Sequence, residues 1–256
     1  MFAALRKFVL LTVLVVVALS SWLGARNATD WQEPLWVMVY PINGDGREST
    51  ASYIDALTAT DFSDIEAFMA RETKRYGIDL QQPVKLILGE RVASRPPAVP
   101  VGGNVLTIAR WSLELRWWAH RMTRDHAGPP PDIRLFLVYF DPAQTPALEH
   151  SVGLEKGRVG VVNVFAARRQ TGANNFVIAH EMLHTLGASD KYELPSLLPR
   201  FPDGYAEPAQ KPLYPQRQAE IMGGRIPVDE QHAAIPESLR AAVLGPGTAR
   251  EIRLLR

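Results

Sequence analysis

The sequence predicts a mixed α/β (α+β) fold, with helices packed on a sheet and an irregular C-terminal region. Segments of strand character alternate with segments of helical periodicity, the order expected of helices laid on a mixed sheet. With 46% hydrophobic and 21% charged residues over a length of 256, the chain can bury a substantial core. Prolines then crowd residues 195–236, where no periodic segment is found.

The chain opens with Arg6 and Lys7 before an apolar run from Phe8 to Leu23, broken only by Thr12, Ser20 and Ser21. That is the basic and then hydrophobic order of an export signal. Residues 1–25 are expected to be a signal peptide or an N-terminal membrane anchor. Ala18-Leu19-Ser20 offers a small-x-small cleavage site, with Leu23-Gly24-Ala25 a poorer one. The run also approaches the roughly 18 residues that span a bilayer. Basic residues before it stay in the cytoplasm, so residues 26–256 should lie on the periplasmic or extracellular face, anchored or secreted. The bland alternative is a buried helix at the start of a cytosolic protein.

Residues 35–40 read as a buried strand ended by Pro41 and the Asn43-Gly44-Asp45-Gly46 turn cluster. Ser63-Asp64-Ile65-Glu66 has capping-box spacing and opens a helix to about residue 76. Residues 84–88 form a second strand, and 95–103 a proline- and glycine-rich loop. A long helix covers 106–122 and breaks at Gly128-Pro129-Pro130-Pro131. Strands follow at 134–140 and 158–165, and the latter runs into the helix that carries the main motif. A last helix is expected over 236–244. No repeat of solenoid length is present.

The long helix has two apolar stripes, one of Leu106, Ala109, Leu113 and Trp117 and another of Trp111, Leu115, Trp118 and Met122. Arg110, Arg116, Arg121 and Arg124 lie among them. A helix apolar on most sides is usually buried, its arginine stems snorkelling outward. The alternative is an interfacial helix at lipid headgroups.

The most informative segment is His180-Glu181-Met182-Leu183-His184, followed by Thr185-Leu186-Gly187-Ala188-Ser189-Asp190. Residues four apart share a helix face, so His180 and His184 can address one metal ion. Glu181 is turned about 100° away, beside the ion without binding it, where a general base acting on a metal-bound water belongs. Gly187 permits a left-handed turn, after which Asp190 can return as a third, oxygen ligand. Two imidazoles and a carboxylate leave the fourth zinc position open, as in catalytic sites. Ala179, Met182, Leu183 and Leu186 make the opposite, apolar stripe, and Asn174 or Asn175 is the expected N-cap. Asp203, Glu207 and Glu220 are alternative third ligands. Tyr192, Tyr205 and Tyr214 are candidate donors to an oxyanion, and nothing in the sequence chooses among them. His120, His126, His150 and His232 stand alone, without ligand spacing.

The run His180–Asp190 resembles the zinc signature of the metzincin peptidases, in the variant with aspartate as third ligand that secreted snapalysins use. Asp190-Lys191-Tyr192-Glu193 is similar to the corresponding run of immune inhibitor A peptidases. Glu220-Ile221-Met222-Gly223-Gly224 resembles the family's methionine turn, although Gly224 stands where some members carry a tyrosine. The resemblance covers about a fifth of the chain. It implies one catalytic Zn2+ held by His180, His184 and Asp190, with Glu181 as general base. It also implies a twisted sheet with a backing helix and an active-site helix, an upper subdomain over 34–187 and a lower one over 188–256. Peptide substrate would lie between them, the strand at 158–165 offering its edge unless that edge is used in ordinary pairing.

A formal charge of +1 gives no argument for a nucleic-acid partner. The absence of cysteine excludes disulfides and thiolate ligands, leaving His, Asp and Glu to hold metal. The expected function is therefore a zinc metallopeptidase of the cell envelope, or a secreted one, acting on protein or peptide. Two readings compete with it: a zinc hydrolase of another envelope amide, and a binding module whose zinc is structural. An intact Glu181 argues against the second of these.

Overall fold

The computed structural model describes residues 30–100, 102, 104–124 and 128–255. The export segment read over residues 1–25 and His126 lie outside them. A five-stranded mixed sheet forms the middle layer, in the order β2-β1-β3-β5-β4. Strands β1 (Leu35–Asn43), β2 (Val84–Leu88), β3 (Ile133–Phe140) and β5 (Val159–Phe165) are parallel. Strand β4 (Val152–Leu154) runs antiparallel along β5 and forms one edge of the sheet. Strand 158–165 is thus internal, and the edge it was expected to offer is taken by β4.

Alternation along the strands sorts their side chains to two faces. Val37, Val39, Leu135, Leu137 and Val162 pack under α2 (Ser63–Arg75) and α4 (Thr171–Thr185). Met38, Tyr40, Phe136 and Val138 pack under α3 (Val105–Thr123). Helices on both faces explain why the central strands read as continuous apolar runs. The step from β1 to β2 and the step back to β3 run in opposite directions. Crossovers of one hand then place their helices on opposite faces.

Local details depart from the sequence reading, each for a physical reason. β1 passes through Pro41 to Asn43. The Pro41 carbonyl accepts from Val92 N at 2.9 Å, so its missing N–H faces the loop after β2 and not the β3 ladder. Helix α1 (Glu48–Asp55), too short to show a clear period, follows the turn. The capping box lies one turn before Ser63, between Thr58 and Asp61, on a 3-10 turn (Ala59–Phe62) leading into α2. Glu66 instead accepts from Leu86 N at 2.7 Å, a donor on the outer edge of β2. Residues 236–244 form no α-helix, only a 3-10 turn (Leu239–Ala241) that leads into extended backbone. Arg71 holds the carbonyls of Leu239 and Ala242, and Glu72 accepts from Leu244 N, which pins the stretch to α2 and keeps it extended from Ala242 on. The last helix is α5 (Pro246–Glu251), with proline in its first turn.

The segment after α4 is irregular, with short pairs β6 (Ala219–Glu220) with β9 (Ala242–Val243) and β7 (Ile226–Pro227) with β8 (Ala233–Ala234). Its Ile221, Met222, Leu239, Leu244 and Ile252 join the same buried cluster as α2 and α4. Helix α3 is covered on one side only. Trp111, Leu115 and Ala119 are buried, whereas Leu106, Leu113 and Trp117 are 79%, 61% and 65% exposed. The reading that buried both stripes is corrected: only one face meets the sheet.

Candidate metal centre

Helix α4 starts at Thr171, so Asn174 and Asn175 sit inside its first turn rather than capping it. Both amides are buried and lock the helix in place. Asn174 accepts from Phe165 N at 3.1 Å and donates to Phe165 O at 2.8 Å, while Asn175 donates to Asp61 O at 2.8 Å. Ala179, Met182, Leu183 and Leu186 enter the core as the apolar stripe requires. The helix ends with Gly187 at φ +100°, where Gly187 N donates to His184 O and Ala188 N to Leu183 O. That paired closure reverses the chain, and Asp190 comes back toward the histidines.

The return is held from both sides of Asp190. Glu251 on α5 accepts from Ser189 N and Oγ and from Lys191 Nζ, at 3.0, 2.6 and 2.7 Å. Lys191 N donates to Met222 O at 2.8 Å, and Arg200 holds the Asp190 carbonyl.

His180 and His184 are brought together with Asp190. Their Nε2 atoms are 3.1 Å apart, and each lies 3.1 Å from Asp190 Oδ1. Ligands placed about 2.0–2.1 Å around a tetrahedral zinc stand about 3.3 Å from one another, so the triangle matches one face of such a site. His180 Nδ1–H donates to Ile221 O at 2.9 Å, and His184 Nδ1–H to Ala188 O at 2.8 Å. Carbonyl oxygens can only accept, so these bonds leave both Nε2 lone pairs aimed at the centre. Three acceptors converge with no donor among them, and a cation is what such a donor set takes.

The electrostatics agree. Against the burial that disfavours its charge, the adjoining His180 and His184 rings, in their protonated form, hold the Asp190 carboxyl well below the usual carboxylate range. Burial lowers His184, but the Asp190 hydrogen bond and the Glu181 charge outweigh it and raise the group. Both shifts are those of a site that favours positive charge at its middle.

Glu181 differs from the other buried carboxylates. Its side chain joins the His180–His184 cluster, with ligand-type atoms within 4.8 Å of one another. Its Oε2 is buried and has no hydrogen-bond partner. Glu220, equally buried, accepts from Gly223 N, Gly245 N and Thr248 Oγ1 at 2.9, 3.0 and 2.7 Å. Glu72 accepts from Leu244 N, Arg71 and Arg75. Burial drives the Glu181 carboxyl above its ordinary value, partly offset by the two histidines. An unpaired buried acceptor is costly, and such groups are kept for chemistry more often than for stability.

A cleft of about 270 Å³ opens before His180 and Glu181, walled in part by His150, Asn163, Phe176, Tyr192, Gly224 and Arg225. The Ile221–Gly223 turn lies under His180, with Met222 fully buried and Gly224 at φ +74°. Glu220 is committed to backbone and Thr248, and Asp203 and Glu207 are exposed, so of the four candidate third ligands Asp190 is the one placed against both histidines. Tyr192 lines the cleft; Tyr205 and Tyr214 share a hydrogen bond of 2.8 Å elsewhere. Burial and the charges of Asp190 and Glu181 push the Tyr192 hydroxyl up to about 12. His120 and His232 are exposed and lie apart from the cluster.

His150, Asn163, Arg225 and Gly153 form part of the site without a motif to announce them. Asn163 Nδ2 donates to Glu149 O and His150 O, each at 3.2 Å, and draws the segment before β4 across the cleft. A scan against protein-family models and a search of the curated proteins return no match for the chain.

Proposed function

We propose that the chain is an exported, zinc-dependent endopeptidase that hydrolyses peptide bonds in the cleft before α4. The observation that carries this reading is the buried, unpaired Glu181 Oε2 beside three converging ligand atoms. His180 Nε2, His184 Nε2 and Asp190 Oδ1 would hold the ion, and backbone carbonyls orient both rings. When bound, zinc supplies Lewis acidity toward a water molecule and toward the scissile carbonyl. Glu181 takes the proton of the attacking water and delivers it to the leaving amine, a role suited to a carboxylate whose affinity for a proton is raised by burial. Tyr192, protonated at neutral pH, offers a hydrogen bond to the oxygen that gains charge. The peptide lies along the segment leading into β4, with Arg225 at the far wall.

The resemblance to metzincin peptidases supports the same assignment through the turn at Gly187 and the buried Met222. Export rests on the residues 8–23 run. A structural zinc site has no use for an unsatisfied carboxylate, which disfavours the binding-module reading. Metal analysis of the purified protein, combined with digestion of a broad peptide library, tests the proposal. One zinc per chain with cleavage supports it. Zinc without cleavage of any peptide, but with release of another envelope amide, would move the reaction to that substrate.

A further inference from the structure

Helix α3 leaves one of its two apolar stripes in solvent. Leu106, Ala109, Leu113 and Trp117 recur at helical spacing on the side away from the sheet, and Val105 beside them is 81% exposed. Arg110 and Arg121 flank the stripe on one side and Arg116 on the other, with Arg124 at its end. The only acid of the helix, Glu114, is paired with Arg110 at 2.7 Å. An outward apolar stripe edged by arginines is the pattern of a helix lying in the plane of a membrane surface. Among the described residues no helix, α3 included, is long and apolar enough to cross a membrane.

The chain itself supplies the surface. Residues 8–23 are apolar and approach the length that spans a bilayer, and only residues 24–29 separate Leu23 from Asp30. That stretch reaches at most about 25 Å, which keeps the domain close to the surface that holds residues 8–23. Where the chain enters the sheet, Trp36 is 41% exposed, on the same sheet face as Met38, under α3. Lys85 Nζ sits 5.2 Å above its ring. Tryptophan with a cation is what the headgroup level favours.

We propose that the outer face of α3 docks on anionic lipid at the membrane that holds residues 8–23, laying the domain flat on that surface. Leu106, Leu113 and Trp117 enter the headgroup region, and Arg121, with Arg110 beside it on the same edge of the stripe, meets lipid phosphates. The proposal rests on the membrane reading of residues 8–23 and is independent of the peptidase reading.

The absence of cysteine allows a single fluorescent label at Leu113→Cys, or at Lys74→Cys on the opposite face of the sheet. The full chain is reconstituted in vesicles of phosphatidylglycerol and phosphatidylcholine, or mixed with them if it is recovered in cleaved form, and quenched with acrylamide. Shielding is expected at position 113 and not at 74, and it should fall several-fold when Arg110 and Arg121 are both changed to Glu. Equal quenching at the two positions overturns the proposal. So does shielding without lipid that grows with protein concentration, which would assign the face to a second copy of the chain.

Discussion

Gly153 on β4 lies so close to Glu181 on α4 that a β-carbon there would stand 2.4 Å from the Glu181 carbonyl oxygen. The same atom would be 2.6 Å from His184 Cβ, so the edge strand rests on the backbone that carries the histidines. Gly153→Ala should therefore push β4 and α4 apart. Overpacking of this kind costs about 1–3 kcal/mol, measurable by urea unfolding, and zinc affinity should fall with it. Parent-like stability and affinity would reject the contact.

The ligand set predicts a sharp division among the acids. His180→Ala, His184→Ala and Asp190→Ala should each weaken zinc retention by well over the roughly 10–100-fold that an outer partner is worth. Asp203→Ala and Glu207→Ala should bind zinc like the parent. Glu220→Ala should unfold more easily, because it strands three donors at roughly 1–3 kcal/mol each. Met222→Leu, a near-isosteric change, should cost less than about 1.5 kcal/mol. Competitive chelator titration separates these classes; an Asp190→Ala protein that holds zinc normally would move the third ligand elsewhere.

The convergence of His180, His184 and Asp190 was legible in the sequence because its causes are local: a helix period, a glycine turn and an acid at a fixed offset. The walls of the cleft were not. Gly153, His150 and Asn163 acquire meaning only when β4 folds back along β5, and Arg225 only when the Gly223–Gly224 turn reaches under His180. Helix caps were misassigned where side-chain amides and carboxylates act at long range, as with Asn174, Asn175 and Glu66. The two stripes of α3 looked like evidence for burial, since periodicity marks an apolar face without saying what covers it.

Glu251 braces both neighbours of Asp190, and its loss should be felt at the metal. Glu251→Gln should weaken zinc binding toward the low end of the roughly 10–100-fold range for outer partners. Burial opposes the charge of Glu251, but the hydrogen bonds from Lys191 and Ser189 outweigh it and hold the carboxyl below its ordinary value of 4.5. With the folded value depressed, the stability from this brace is complete above pH 4.5 and is lost as pH falls through the lower folded value. The gap in thermal midpoint between parent and Glu251→Gln should narrow as pH drops below 4.5. A gap that stays constant into strong acid would deny the ionic brace.

Tyr192 is the cleft tyrosine, so Tyr192→Phe should lower kcat by up to roughly 10²–10³, the worth of one donor at a developing oxyanion. Its KM should change little, and Tyr205→Phe should leave kcat near the parent value. If the two variants behave alike in steady-state assays, the donor is another group.

Glu181→Gln tests the central claim most directly. The change keeps the size of the side chain, leaves His180, His184 and Asp190 untouched, and removes only the ability to accept a proton. Hydrolysis of a library-derived peptide should fall by roughly 10²–10⁴, the usual worth of positioned proton transfer, while metal analysis still finds about one zinc per chain. Loss of the zinc would make Glu181 a ligand, and full activity with zinc retained would give its role to another base; either result contradicts the account.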